Sequence, residues 1–220
     1  MSNFFNMDNP FFSTLSKIFD LLFISIVWTF LCIPIITIGP ANTALYYTVV
    51  KVIRKERGYL IREFFKSFRT NFKRAAIVGV VLTLIGAILV FDLLYSLQIA
   101  NEGGGKGSIL LGVFIAISFI VIGFSIYVFP ILSRFEMTVK QLFKAAIFMS
   151  MRHLLSTLAM VVVTVSFVAV MYLFAPVLIF IVPGLTALIN SYLMERIFKK
   201  YMPQTDGPGE ETGKDEWYLD

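Results

Sequence analysis

Few residues in this sequence have the chemistry of a catalytic or metal site. The single histidine, His153, has no cysteine nearby and no acid at ligand spacing, whereas a metal site needs several such groups. The single cysteine, Cys32, lies in an apolar run and cannot form an intramolecular disulfide. Acids in or beside apolar runs all lie near the ends of those runs: Asp20, Asp92, Glu136 and Glu195. We therefore predict a protein that is not an enzyme, with no metal and no cofactor.

Motifs of nucleotide-binding and hydrolase sites are also missing from the sequence. The glycine-rich run at 103–107 has no strand before it, so we interpret it as a linker rather than a phosphate-binding loop. Coupled transport usually needs ionisable groups deep in a bundle, and the acids here lie near helix ends. A membrane enzyme is the least favoured class, because clustered acid, base or metal groups are not evident.

The composition indicates an integral membrane protein. Hydrophobic residues make up 58% of the 220 residues and charged residues 15%, and the mean hydropathy is +0.82. A soluble domain of this length could not bury 23 phenylalanines and so much other apolar surface in one core. We predict an all-α polytopic helix bundle, with residues 1–202 forming one membrane domain and interfacial amphipathic helices beside it.

Loop charges predict the orientation in the membrane. Basic residues number nine in 51–74, one in 98–108 and four in 134–152. The positive-inside rule then places the first and third regions in the cytoplasm and the glycine loop outside. The predicted crossings number six, with both termini cytoplasmic: 18–33, 40–52, 75–97, 109–132, 154–174 and 177–194. Five crossings are the alternative, because the second run is short and prolines make the last turn ambiguous.

The densest basic region predicts an amphipathic helix. Phenylalanines recur at helical spacing on one side, and four cations recur on a neighbouring face: Arg62, Lys66, Arg69 and Lys73. We expect this helix on the cytoplasmic membrane surface, with phenylalanines at the acyl boundary and cations among anionic headgroups. A nucleic-acid site is disfavoured, because phosphate binding gives no reason for a phenylalanine-rich face.

A break in the apolar sequence predicts a turn between two helices. One helix should end near Pro34 and the next begin at Pro40, which suits the first turn of a helix. Gly39 is expected to supply backbone angles closed to other residues, and Thr37 to satisfy the backbone of the turn. The remaining member of this hinge is Ala41.

The hinge has an echo near the end of the chain. Pro40-Ala-Asn-Thr-Ala-Leu45 matches Pro183-Gly-Leu-Thr-Ala-Leu188, and each precedes a helix predicted to run inwards. We hypothesise three repeated units, each an interfacial aromatic segment followed by a helical hairpin, with hairpins near 18–53, 75–132 and 153–198.

A polar group follows a proline near the end of the fourth predicted crossing. Arg134 and Glu136 lie just past Pro130, where they are expected to pair with each other, to contact a partner chain, or to act as interfacial anchors.

Residues 203–220 contain six acids and one lysine. We predict a disordered acidic tail there, with folding back onto the basic surface as the alternative.

Several motifs together resemble the YesL family of bacterial membrane proteins. They are Leu21-Leu-Phe-Ile-Ser-Ile-Val-Trp28, Leu31-Cys-Ile-Pro34, Thr37-Ile-Gly-Pro-Ala41, Tyr127-Val-Phe-Pro130 and Arg134-Phe135. The resemblance implies a protein of the bacterial cell membrane, often encoded beside carbohydrate ABC importers and their sensor kinases. It implies no known activity.

Two functions follow as expectations from the residues and the resemblance. The first is a non-enzymatic accessory or regulatory subunit that associates with ABC transporter permease subunits or a sensor kinase. The alternative is a small stand-alone transporter or channel for a polar solute. In that case the helices opening at Pro40 and Pro183 would point their N-termini at a common polar pocket.

Overall fold

The computed structural model describes residues 10–101, 105–174 and 176–201, and over these ranges the chain is helical without strands. The predicted all-α fold is therefore confirmed. Its helices are α1 (Pro10–Leu31), α2 (Ile38–Thr48), α3 (Leu60–Asn101), α4 (Gly105–Arg134), α5 (Val139–Arg152), α6 (Leu154–Phe174) and α7 (Val182–Phe198). Short 3₁₀ segments, Ile35–Thr37 and Pro176–Phe180, precede α2 and α7, and a π-helical segment, Val49–Arg54, extends α2. The predicted acidic tail and the first nine residues lie outside the described ranges.

Four helices are long and apolar enough to cross a bilayer, namely α1, α3, α4 and α6. The others predicted to cross, α2 and α7, contain only 11 and 17 residues. Each of them nevertheless leads back to the start of the preceding long helix. Lys17 Nζ lies 2.7 Å from Glu56 Oε1, and His153 Nε2 lies 3.0 Å from the Tyr201 hydroxyl. In both hairpins, a side-chain contact therefore joins the end of the short arm to the first part of the long helix. The count of six crossings stays a prediction.

Helix α3 corrects the predicted boundary between a surface helix and a crossing. The amphipathic segment and the crossing form one 42-residue helix. At about 1.5 Å per residue it is about 63 Å long, roughly twice the thickness of a bilayer's hydrocarbon core. Helical hydrogen bonding continues across Arg74, so the basic segment and the apolar segment share one helix axis.

The predicted polar loop at 98–108 is also largely helical. Helix α3 continues to Asn101 and α4 starts at Gly105, so only residues 102–104 lie outside the described helices. A Cβ on Gly107 would lie 2.4 Å from the Ala100 backbone nitrogen, so the two helices approach closely there. Gly107 thus allows close packing of α3 and α4 near the hairpin tip.

The hinge between α1 and α2 differs from prediction at its glycine. Positive φ angles occur at Glu56 (56°) and Gly58 (87°), in the turn before α3, whereas Gly39 is helical. A Cβ on Gly39 would lie 1.9 Å from the Ala75 carbonyl oxygen and 2.9 Å from Gly79 Cα. Glycine is required at position 39 because two helix backbones nearly touch, and the predicted role in backbone angles is wrong.

The other hinge residues have identifiable roles. Pro34 is exposed and extended (φ −77°, ψ 131°) at the start of the 3₁₀ turn. The Thr37 hydroxyl donates to the carbonyl oxygens of Leu31 and Pro34, which confirms its predicted role. Pro40 and Ala41 lie buried in the first turns of α2, which begins at Ile38 rather than at Pro40.

The first and last hairpins share an order of elements. In each, a long helix is followed by a 3₁₀ segment and a short helix. Both short helices also begin against a neighbour, since a Cβ on Gly184 would lie 2.6 Å from Ser25 Oγ. The middle hairpin, α3–α4, has two long helices and no such segment at its described ends. Repetition of the first and last hairpins stays a prediction.

Helix α5 lies within the third of the regions compared for charge, 134–152. Thr138 and Gln141 form a reciprocal capping box, which fixes the start of the helix. Leu142 and Ala146 are fully buried in the larger apolar core, beside Tyr127 of α4. A second, smaller core lies between α1, α2 and the first turns of α3, and contains Ile24, Leu45 and Phe64.

Replacing Gly39 with alanine should weaken the contact between α2 and α3. The new methyl group would overlap the Ala75 carbonyl, and overpacking of this kind costs about 1–3 kcal/mol. Gly86→Ala is the matched control, because a Cβ there meets nothing within 4 Å and alanine favours the helix. Thermal unfolding in detergent should show a lower midpoint for Gly39→Ala and no loss for Gly86→Ala. Equal midpoints for the two variants would contradict the close contact.

Candidate functional site

A buried ion pair joins the π-helical segment after α2 to α3. Lys51 Nζ lies 3.0 Å from Glu63 Oε2, with side chains 7% and 11% exposed. The Tyr47 hydroxyl accepts from Lys51 at 3.2 Å and donates to Glu63 at 3.3 Å. Glu63 lies in the first turn of α3, where the positive end of the helix dipole also favours an acid. The three side chains therefore satisfy one another away from water.

A second buried pair joins α4 to α7. Arg134 Nη2 donates to Glu195 Oε2, and the two side chains are 1% and 13% exposed. The Tyr46 hydroxyl donates to the other Glu195 oxygen at 2.7 Å. Glu195 thus connects three helices, since it accepts from α2 and α4 while belonging to α7.

This pairing revises the expectation for the polar group after Pro130. Arg134 is buried against α7 and is not available as a surface contact for a partner chain. Pro130 is also buried, within α4, whereas Glu136 is exposed beyond the end of that helix. A buried guanidinium needs a buried carboxylate nearby, and Glu195 meets that need.

Arg54 completes the network from the π-helical segment. Its Nη1 donates to the Ser191 carbonyl oxygen at 2.9 Å and to the Ser191 hydroxyl at 3.1 Å. Its guanidinium carbon also lies 4.1 Å from the centroid of the Tyr192 ring, a cation–π distance. Lys51 and Arg54 therefore connect the same segment to α3 and to α7. We call these side chains the buried polar network: Tyr46, Tyr47, Lys51, Arg54, Glu63, Arg134, Ser191 and Glu195.

The network holds helices together and has no evident reaction chemistry. Each of its carboxylates is paired with a cation and a tyrosine hydroxyl. Groups of three or more His, Cys, Asp or Glu side chains that could bind a metal are not found in the described part of the chain. Charges in an apolar bundle are costly unless paired, so the network stabilises one arrangement of α2, α3, α4 and α7.

The N-terminal ends of α2 and α7 are covered by neighbouring helices. The Gly184 amide donates to Ser25 Oγ of α1 at 3.0 Å. Gly39, near the start of α2, lies against Gly79 of α3. The common polar pocket expected of a stand-alone transporter is not formed by these two helix ends in the described residues.

A cleft of about 560 Å³ lies between the start of α1 and the end of the π-helical segment. Its polar lining includes Ser13, Ser16, Asp20 and the bridged pair Lys17–Glu56. Lys17 holds the pKa of the Glu56 carboxyl below its ordinary value through a hydrogen bond and its charge. The cleft offers hydrogen bonding and mixed charge, without a nucleophile paired to a base.

The predicted basic face is present and exposed. Its members Arg62, Lys66, Arg69 and Lys73 are all exposed on the first half of α3. The phenylalanine side packs partly on protein, because Phe64 is fully buried and Phe65 and Phe68 pack against the smaller core, whereas Phe72 is exposed. Its place at a lipid boundary stays a prediction. The rings of Phe64, Phe65 and Phe68 bury themselves on α1 and α2, which directs the cations away from the bundle.

Sequence reasoning missed the acid at the centre of the first ion pair. Glu63 lies within the basic stretch but next to Phe64, on the side that the apolar spacing marks as buried. An acid on the apolar side of a basic helix was the available signal. Lys51 and Glu63 lie 12 positions apart, and Arg134 and Glu195 lie 61 positions apart. Local spacing along the sequence does not reveal such pairs.

Comparisons with known proteins agree with the expected resemblance. A family model described as "Protein of unknown function, DUF624" matches residues 19–93, which include the later part of α1, all of α2 and most of α3. The Bacillus subtilis (strain 168) protein described as "Uncharacterized protein YteU" is 29% identical over 171 residues, covering 77% of this chain and 73% of that protein. No solved structure matches the chain.

Removing one partner of the Lys51–Glu63 pair should destabilise the protein more than removing both. A lone buried charge costs about 3–5 kcal/mol, whereas an apolar pair of similar size can be nearly neutral. We expect a lower unfolding midpoint for Glu63→Leu than for the double variant Lys51→Met/Glu63→Leu. The exposed pair Lys17–Glu56 gives the control, since Lys17→Met and Glu56→Leu should each lower the unfolding midpoint far less than Glu63→Leu does. Additive losses at Lys51 and Glu63 would exclude the coupling.

His153 should titrate below the ordinary histidine pKa of about 6.5. Partial burial lowers the pKa of its imidazole, and the charges of Lys200 and Arg152 lower it further. Because the folded-state pKa is depressed, this group's contribution to stability is present above about pH 6.5 and is lost as pH falls through the folded pKa. NMR of the single histidine should show a midpoint below 6.5 that rises in Lys200→Gln. A midpoint at or above 6.5 would contradict the packing around it.

Proposed function

We propose, from the match of residues 19–93 to the DUF624 family model and from the resemblance to YesL-type proteins, that this protein is a non-enzymatic accessory or regulatory membrane subunit of a carbohydrate ABC transporter system. The observation that carries the proposal is the contrast between its interior and its surface. Inside, the ionisable groups pair with one another and hold helices in place. Outside, the basic face of α3 is exposed. Such an arrangement suits association with a partner better than chemistry of its own.

The basic face supports association at the membrane surface predicted to be cytoplasmic. Four cations repeat along one side of a helix, where they attract anionic lipid headgroups or acidic surfaces of a permease or sensor kinase. The rigid packing of Phe64 behind them keeps the cations in one register. A preorganised charged surface favours specific and rapid encounter with an oppositely charged partner.

Helix α4 offers a surface for packing within the bilayer. Gly112 and Ala116 lie four residues apart and are both exposed, and a Cβ at Gly112 would meet nothing within 4 Å. Small residues at this spacing let helix backbones approach closely in membranes. This exposed surface supports packing against a helix of a permease subunit.

The family resemblance supports the choice of partner. YesL-type proteins are often encoded beside carbohydrate ABC importers and their sensor kinases, and the motifs that carry the resemblance include the hinge at 34–41. The stand-alone transporter remains the alternative, but the packed ends of α2 and α7 weigh against its expected pocket.

Copurification in mild detergent tests the proposal. We expect the tagged protein, purified from its native host, to recover a permease subunit or a sensor kinase. The variant Arg62→Gln/Lys66→Gln/Arg69→Gln/Lys73→Gln should lower that recovery at least about tenfold, since each cation near an anionic surface contributes about 1 kcal/mol. Recovery of neither partner by the unaltered protein would overturn the proposal.

A matched control on α5 and a second variant on α4 locate the surface that contacts the partner. Lys140→Gln/Lys144→Gln removes exposed charge from α5 and should leave recovery unchanged. Gly112→Leu/Ala116→Leu should lower recovery if α4 packs against a permease helix, without lowering the thermal midpoint. A loss of recovery as large in the α5 variant as in the α3 variant would show that the basic face is not the specific surface.

A further inference from the structure

We propose that the acidic segment 203–220 of this same chain binds the basic face of α3 and competes there with anionic lipid headgroups. The segment has six acids and one lysine, and the face has four cations. The inference goes beyond the proposed function, because it concerns a contact within one molecule and needs no partner protein.

Three of the four cations of the face are not used in ion pairs within the described ranges. Arg62, Arg69 and Lys73 form no ion pair with any carboxylate in the described ranges, although the same helix buries Glu63 against Lys51. Exposed cations repel one another along a helix face, and an acidic segment relieves that repulsion. The opposite sign of 203–220 makes it the complementary occupant within this chain.

The last described residues place the acidic segment within reach. Helix α7 contacts the π-helical segment, since Arg54 bonds to Ser191. That segment in turn contacts the first turns of α3 through Lys51 and Glu63. Neighbouring helix axes lie about 8–10 Å apart, so two such steps separate α7 from the basic face by about 20 Å.

The length of the segment is ample for this distance. Its 18 residues can extend to about 60 Å at 3.3–3.6 Å per residue. A tethered segment binds as an intramolecular partner, at an effective concentration that free acidic peptides do not reach. Binding of the segment would cover the surface that headgroups otherwise contact, so the two occupants exclude each other.

Carbodiimide cross-linking of the full-length protein in single-copy nanodiscs tests the contact. In phosphatidylcholine alone, we expect couplings between carboxylates of 203–220 and the amines of Lys66 and Lys73, identified by peptide mass spectrometry. Raising salt from about 0.05 M to about 0.5 M should lower their yield at least about fivefold, because the screening length shortens to a few ångström. Replacing about a third of the lipid with phosphatidylglycerol should also lower the yield.

A variant that keeps both reporter lysines makes the test specific. Arg62→Gln/Arg69→Gln removes half the charge of the face and should lower coupling at Lys66 and Lys73 several-fold. Arg152→Gln, on α5, is the control and should leave it unchanged. Coupling confined to Lys199 and Lys200, or coupling insensitive to salt and to Arg62→Gln/Arg69→Gln, would overturn the inference. Loss of coupling in the variant with unchanged thermal unfolding would support it.

Discussion

The contact between the backbones of α2 and α3 at Gly39 and Gly79 sets the register of the bundle. It brings the start of a short helix onto the middle of a long one, so that the two run antiparallel. Lys51 then lies 12 residues along α2 and its extension, and Glu63 lies 16 residues back along α3, which allows their side chains to meet. A close steric contact at one end and an ion pair at the other fix both rotation and translation of the two helices. The register between α2 and α3 therefore determines the direction in which the basic face points.

The buried polar network explains how a bundle this apolar keeps a single arrangement. Apolar contacts between helices in lipid are poorly discriminating, because lipid tails are as apolar as leucine. Pairs such as Arg134–Glu195 are costly to misplace, since a helix shifted by one turn would leave a charge unpaired in a medium of low dielectric. Specificity of packing therefore resides in a few polar contacts. Their full use in packing also explains why activity is better sought at surfaces of the molecule.

The sequence predicted those features that depend on composition and local spacing. The helical fold, the turn stabilised by Thr37 and the exposed cations of α3 all follow from residue types and short periods. Gly39 was misread because freedom of backbone angles and absence of a side chain require the same residue. The predicted boundary between the surface helix and the crossing is wrong because both segments have the same helical periodicity. A change from basic to apolar residues does not by itself end a helix. Partners such as Glu195 depend on tertiary packing, which spacing along the chain does not encode. The protein's partners and its crossing count stay predictions.

The uninterrupted helix α3 acts as a rigid rod that connects two distant parts of the molecule. The contact at Gly79 lies near its midpoint, with the basic face on one arm and the packed tip of the α3–α4 hairpin on the other. Each arm is about 30 Å long, so a tilt change of about 10°, within the range that membrane helices adopt, moves either end by about 5 Å. The basic arm is packed on α1 and α2 through Phe64 and held by the Lys51–Glu63 pair, so a displacement of the hairpin tip would move those helices together with the cations. One continuous helix therefore joins the hairpin tip mechanically to the basic face.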